Sequence, residues 1–181
     1  MGLRRQRCEK SLMEDKSIWN VVYTASRQEK KVAERFQNSG IEHYLPIIKV
    51  VSQWSDRKKT IEKPLFNGYV FVREIHKYGP ILKTIGVVGF LKFEKKPAKV
   101  HQHEIETLKS LIAHGYDMSA TDISEQIEIG QLVQITDGPL KGHIGELYSK
   151  PDGDWFVIHF ENIGNSIKIK IPSNLLKSIK K

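Results

Sequence analysis

Cysteine occurs once in this chain, at Cys8, which excludes a disulfide framework and any cysteine-based zinc site. No apolar run approaches the length needed to cross a membrane, so no membrane partner is expected. No apolar stretch of signal-peptide type follows the polar, arginine-bearing first residues. Residues 1–17 therefore read as a disordered leader, and the protein as cytoplasmic. Catalytic constellations are missing as well: there is no Gly-x-Ser-x-Gly, no phosphate loop and no dinucleotide fingerprint. The carboxylates are scattered, and no pair has a sequence reason to share a site. His101, His103 and His114 are the only histidine cluster, without His-Glu-x-x-His spacing or a neighbouring cysteine. An enzyme, a metal site and a cofactor are all unexpected.

What is present is a soluble, basic chain long enough for one large domain or two small ones. An apolar fraction of 39% with three Trp suffices for a buried core. The charge is uneven. Residues 18–115 carry 17 Lys and Arg against 9 Asp and Glu, whereas residues 116–181 carry 7 against 9. Basicity confined to the first half favours a polyanionic partner there, with nucleic acid the first candidate.

Trp19-Asn20-Val21-Val22-Tyr23 alternates as a strand, with Trp19, Val21 and Tyr23 on one face. Ser26 is a fair N-cap for a helix to about Asn38, whose apolar stripe is Val32, Ala33 and Phe36. Arg27, Lys31 and Arg35 then fall at i, i+4 and i+8 on the opposite face, with Lys30 beside them. A second extended segment, Ile41 to Val51, leads into a polar loop containing Arg57, Lys58 and Lys59, a further candidate for phosphate contact. Pro64 to Val72 reads as one strand with a bulge at Asn67-Gly68 that brings Phe66, Tyr69 and Phe71 to one face. A further strand over Thr84 to Leu91 precedes a helix marked by Ile105, Leu108, Leu111 and Ile112. Residues 116–127 read as a linker. Beyond them, residues 128–181 show four or five short strands with turn signals, as in a small SH3-like β-barrel.

Phe66-Asn67-Gly68-Tyr69-Val70-Phe71-Val72 resembles the central strand signature of the NusG family of transcription elongation factors, with Asn67 where Pro is usual. The order strand, helix, paired strands, helix over residues 18–115 is similar to that family's N-terminal domain. Gly138-Pro139-Leu140-Lys141-Gly142-His143-Ile144-Gly145 looks like a KOW motif, with Gly130, Val133 and Ile135 on the strand before it. The fold expected is α+β: an antiparallel sheet with flanking helices, then a KOW β-barrel.

The resemblance implies a monomeric transcription elongation and antitermination factor. Tyr23, Phe66, Tyr69 and Phe71 would form one partly exposed apolar patch that docks on the clamp helices of the largest RNA polymerase subunit. Arg27, Lys30, Lys31, Arg35, Arg57, Lys58 and Lys59 would face non-template or upstream DNA. The KOW domain would recruit a small-subunit ribosomal protein or Rho. By the Leu65-Phe66-x-x-Tyr69-x-Phe71-Val72 spelling and the Pro151-Asp152-Gly153 turn, the chain looks closer to the specialised RfaH-like and UpxY-type antiterminators of polysaccharide operons than to the general factor. Ile85 stands where RfaH-type proteins place an Arg, which separates this chain from any DNA sequence preference tied to that residue. The competing reading is a ribosome-associated or general RNA-binding KOW protein without polymerase contact, whose second domain would be expected to be basic. A third reading is an interaction module that binds no DNA.

Overall fold

The computed structural model describes residues 18–53, 58–73, 78–122, 130–138, 140–150, 153–160 and 163–179. Contacts divide the chain into two units. One runs to Pro46 and resumes over Phe66–Ile105; the other comprises Ile47–Leu65 and Glu106–Lys181.

In the first unit, β1 (Ile18–Thr24) pairs antiparallel with β5 (Tyr69–Arg73) on one side, and with β6 (Val87–Phe90) and β9 (Lys99–His101) on the other. β2 (His43–Tyr44) extends the sheet beyond β5. Because β1 has neighbours on both sides and cover on both faces, its alternation does not separate core from solvent. Trp19 and Val21 are buried, and so are Asn20, Val22 and Thr24 on the other face. The second of these faces is covered by α1 (Glu29–Asn38), whose Val32 and Phe36 join Val22, Val70 and Val72. Ile81, from the short helix α2 (Gly79–Leu82), completes this cluster.

Two expectations change here. α1 starts at Glu29 rather than after Ser26, because Arg27 takes a left-handed φ of 59° in the preceding turn. Pro64 to Val72 is not one bulged strand. β4 (Lys58–Pro64) ends at Pro64, residues 65–68 turn, and β5 starts at Tyr69. The cause is Gly68, whose φ of 80° takes the backbone out of the strand region. The sheet's opposite end is held by side chains. Trp19 Nε1 and Arg73 Nη1 both donate to Gln102 Oε1 at 2.7 Å, and the Arg73 guanidinium lies 4.5 Å from the Trp19 ring centroid.

In the second unit, β3 (Ile47–Gln53) and β4 form a hairpin. The helix α3 (Gln102–Ala113) crosses the division between the units and is followed by Gly115 at positive φ. A six-stranded antiparallel sheet follows. It comprises β10 (Met118–Asp122), β11 (Gln131–Ile135), β12 (Ile144–Lys150), β13 (Gly153–Phe160), β14 (Asn165–Lys170) and β15 (Leu176–Ser178). Its order is β10-β14-β13-β12-β11-β15, and Val133, Ile135, Phe156, Ile167 and Ile169 are buried on one face. β10 occupies the middle of the expected linker. Its alternation places Met118 opposite Ile169 and Ala120 opposite Ile167, so even a polar, acid-rich stretch gains a place on the sheet edge.

Candidate functional site

The aromatic residues expected to share a surface do come together, but only two reach solvent. Tyr23 and Tyr69 are directly opposed on β1 and β5, with ring centroids 5.9 Å apart in an edge arrangement. Phe66 stands 6.5 Å from Tyr69 and 5.9 Å from Phe71. Tyr23 is 47% exposed and Tyr69 half-buried, whereas Phe66 and Phe71 are wholly buried. The expected four-residue patch is therefore a two-tyrosine surface on a two-phenylalanine floor. Tyr44 extends the floor, 6.4 Å from Phe71, and burial pushes its hydroxyl up to about 12. On its other flank Tyr23 faces Gly89, which has no side chain and open space where a Cβ would stand. One ring face of Tyr23 is thus left unscreened by its sheet neighbour.

The turn before β5 sets this surface. Glu29, the first residue of α1 and almost fully buried, accepts a hydrogen bond from the Gly68 N–H at 2.7 Å. Thr24 N–H donates to the Gly68 carbonyl at 2.8 Å, and a Cβ on Gly68 would stand 3.1 Å from the Tyr23 ring. Helix start, turn and tyrosine are one assembly. Sequence reasoning did not single out Glu29. A Glu at a helix start is common by itself, and the 39 residues that separate it from Gly68 leave no local signal.

The basic residues are less unified than their spacing implies. Lys30 and Lys31 are exposed on α1, but Arg27 precedes the helix. Arg35 Nη1 donates to the Ile85 carbonyl at 2.7 Å, fastening α1 to the loop before β6. Lys59 is exposed on β4, in the second unit. The Lys58 side chain and all of Arg57 lie outside the described residues.

In the second sheet, Val133 and Ile135 are buried on β11, and Gly138 and Gly142 turn the chain at positive φ. Pro139 lies outside the described residues. A Cβ on Gly145 would stand 2.6 Å from the Phe156 ring, and one on Gly130 would stand 2.5 Å from the Leu147 carbonyl oxygen, so both positions demand glycine for close approach. On the sheet's other face Tyr148 donates to Glu146 Oε2, while His159 Nε2 stands 3.4 Å from that oxygen and its Nδ1 2.8 Å from Ser166 Oγ. The Tyr148 hydrogen bond holds the Glu146 carboxyl below its usual range. Burial, and then that same bond, pushes Tyr148 up to about 12. Ser166 is fully buried, so this row orders the strands and offers no nucleophile.

Known proteins share sequence and fold with this chain. The family described as transcription termination factor nusG matches residues 17–109. The transcription termination/antitermination protein NusG of Rickettsia conorii is 27% identical over 140 residues, 70% of this chain and 71% of that protein. Its counterpart from Rickettsia felis is 27% identical over 139 residues, with the same shares covered. A solved structure of Thermotoga maritima NusG, described for its domain interaction, has the same fold. Its TM-score is 0.56 at 20% identity, covering 91% of this chain and 98% of the other. With the family match extending over half of its length, the chain belongs to the NusG family of transcription termination factors.

Proposed function

We propose that this protein binds RNA polymerase through Tyr23 and Tyr69 and alters elongation, pausing or termination, in the service of particular operons. The observation that carries this reading is the pair of part-exposed tyrosines seated on buried Phe66 and Phe71 in a chain of the NusG family. Aromatic anchors on a rigid floor lose little entropy when a partner covers them, which is why such residues dominate interface energetics. The occupant suited to this surface is a helix tip, the clamp helices of the largest polymerase subunit.

Phe66 and Phe71 act by holding the tyrosines in place. Arg27, Lys30 and Lys31 face DNA phosphates in the elongation complex, and Arg35 positions the loop at Ile85. Residues 128–181 serve as the KOW domain and recruit a second protein. That region carries 7 Lys and Arg against 6 Asp and Glu, without the basic excess of residues 18–115, which supports a protein partner over RNA.

Truncation of an interface anchor costs roughly 2 kcal/mol or more, so Tyr69→Ala should weaken binding to core polymerase at least about tenfold while the fold persists. Undiminished capture of core polymerase by folded Tyr69→Ala protein overturns the assignment.

A further inference from the structure

Between β6 and β9 the chain makes a two-stranded ribbon, β7 (Lys92–Phe93) and β8 (Lys96–Pro97), joined by Glu94 and Lys95. A two-residue connection of this kind needs positive φ at both central positions, which is why Asn-Gly and Asp-Gly predominate there. Here Glu94 has φ 49° and Lys95 φ 66°. Both residues carry a Cβ and so bear a steric penalty that glycine escapes.

The side chains displayed at this cost do nothing for the core. Phe93 is 44% exposed, and Lys92, Lys95 and Lys96 are exposed. Residues 92–99 hold four lysines against one glutamate. The register puts Phe93 directly opposite Lys96, so a ring and an ammonium group share one side of the ribbon. Residues that oppose the backbone geometry and add nothing to the core are the mark of a site kept for contact.

We propose that this ribbon is a second nucleic-acid contact, separate from α1, that takes single-stranded DNA, with a base stacked on Phe93 and phosphates on Lys92, Lys95 and Lys96. An exposed ring can stack only on an unpaired base, since duplex bases already cover one another. Segment 92–97 has no Ser, Thr, Asn or Gln to read a 2′-hydroxyl, so RNA gains nothing over DNA here. The inference rests on the polymerase reading only for where such a strand would be met.

The test is anisotropy of a labelled oligo-dT with the full chain, across salt concentrations. Phe93→Ala should weaken binding at least about fivefold. Replacing Lys92, Lys95 and Lys96 together by Ala should lower the salt slope by about two. The pair Glu94→Asn with Lys95→Gly should raise the melting temperature yet weaken binding, an opposition that a purely structural turn would not give. If these variants bind as wild type while Lys31→Glu weakens binding, the ribbon assignment falls and the α1 reading stands. If Lys31→Glu is also silent, both fall. Tighter binding of oligo-rU than of oligo-dT, lost in the same variants, overturns the choice of DNA. Loss of polymerase capture by Phe93→Ala with oligo-dT binding intact reassigns the ribbon to protein and overturns the proposal.

Discussion

The first sheet exposes aromatic side chains beside the aliphatic Val88 on β6, the second exposes aliphatics, and the supports beneath them differ. In the first, Tyr23 and Tyr69 lie over buried Phe66 and Phe71, with Glu29 and Gly68 fixing the turn beneath. In the second, the exposed large apolar residues are aliphatic: Leu132 at 36% and Ile144 at 54%, on neighbouring strands, with Glu146 directly opposite Leu132. Charge differs along the chain as well, with 17 Lys and Arg against 9 Asp and Glu over residues 18–115 and 7 against 9 over residues 116–181. A rigid aromatic surface supplies large contact area at small entropic cost, whereas two aliphatics beside a carboxylate suit a lighter contact. The lesson is that what lies beneath the exposed side chains, more than their apolar character, distinguishes the two sheets.

That contrast can be sharpened by damaging one sheet at a time. The largest effect is expected from Gly145→Ala, because a Cβ there meets both the Val157 carbonyl oxygen and the Phe156 ring within 2.6 Å. Overpacking of this kind costs about 1–3 kcal/mol. The melting transition reported by the second sheet should fall, while polymerase capture by the first is retained.

Gly68→Ala comes next. Positive φ costs an L-residue about 1–2 kcal/mol, and the added methyl would press on the Tyr23 ring. Polymerase affinity should drop with a stable second sheet, and equal losses in both sheets would break the comparison.

The smallest effect belongs to Tyr148→Phe. Glu146 has a lowered pKa in the folded state, chiefly through Tyr148, so its contribution is present above the ordinary carboxylate pKa and is lost as pH falls through the lowered value. The melting temperature of wild type should exceed that of Tyr148→Phe by a few degrees at most near neutrality, and the gap should close in acid below about pH 4. A gap that stays constant down to pH 3 would mean that the tyrosine acts by packing alone.

Much of the fold was legible because its signals are local. The alternation of Trp19 to Tyr23, the stripe of Val32 and Phe36, and the glycines of the Gly138–Gly145 turn all act within a few residues of themselves. The candidate site was legible as composition and less so as geometry. Four aromatics were visible, but which two reach solvent depends on a turn at Gly68 tied to a helix 39 residues away. The basic ridge looked continuous because helical spacing was extended back through Arg27, which in fact sits in a left-handed turn. Arg35 looked like a phosphate contact because nothing near it in sequence reveals the Ile85 carbonyl. β10 was hidden for the same reason, since an edge strand needs only one compatible face and its partner β14 lies far along the chain.

The central claim is that the two-tyrosine surface is where polymerase docks. Its most direct measurement is site-specific photocrosslinking of the full chain to core RNA polymerase, with the crosslinker placed at Tyr23 and, separately, at Ile144. The account predicts a strong adduct to the largest subunit from position 23 and little or none from position 144. An adduct from position 144 with none from position 23 would contradict it.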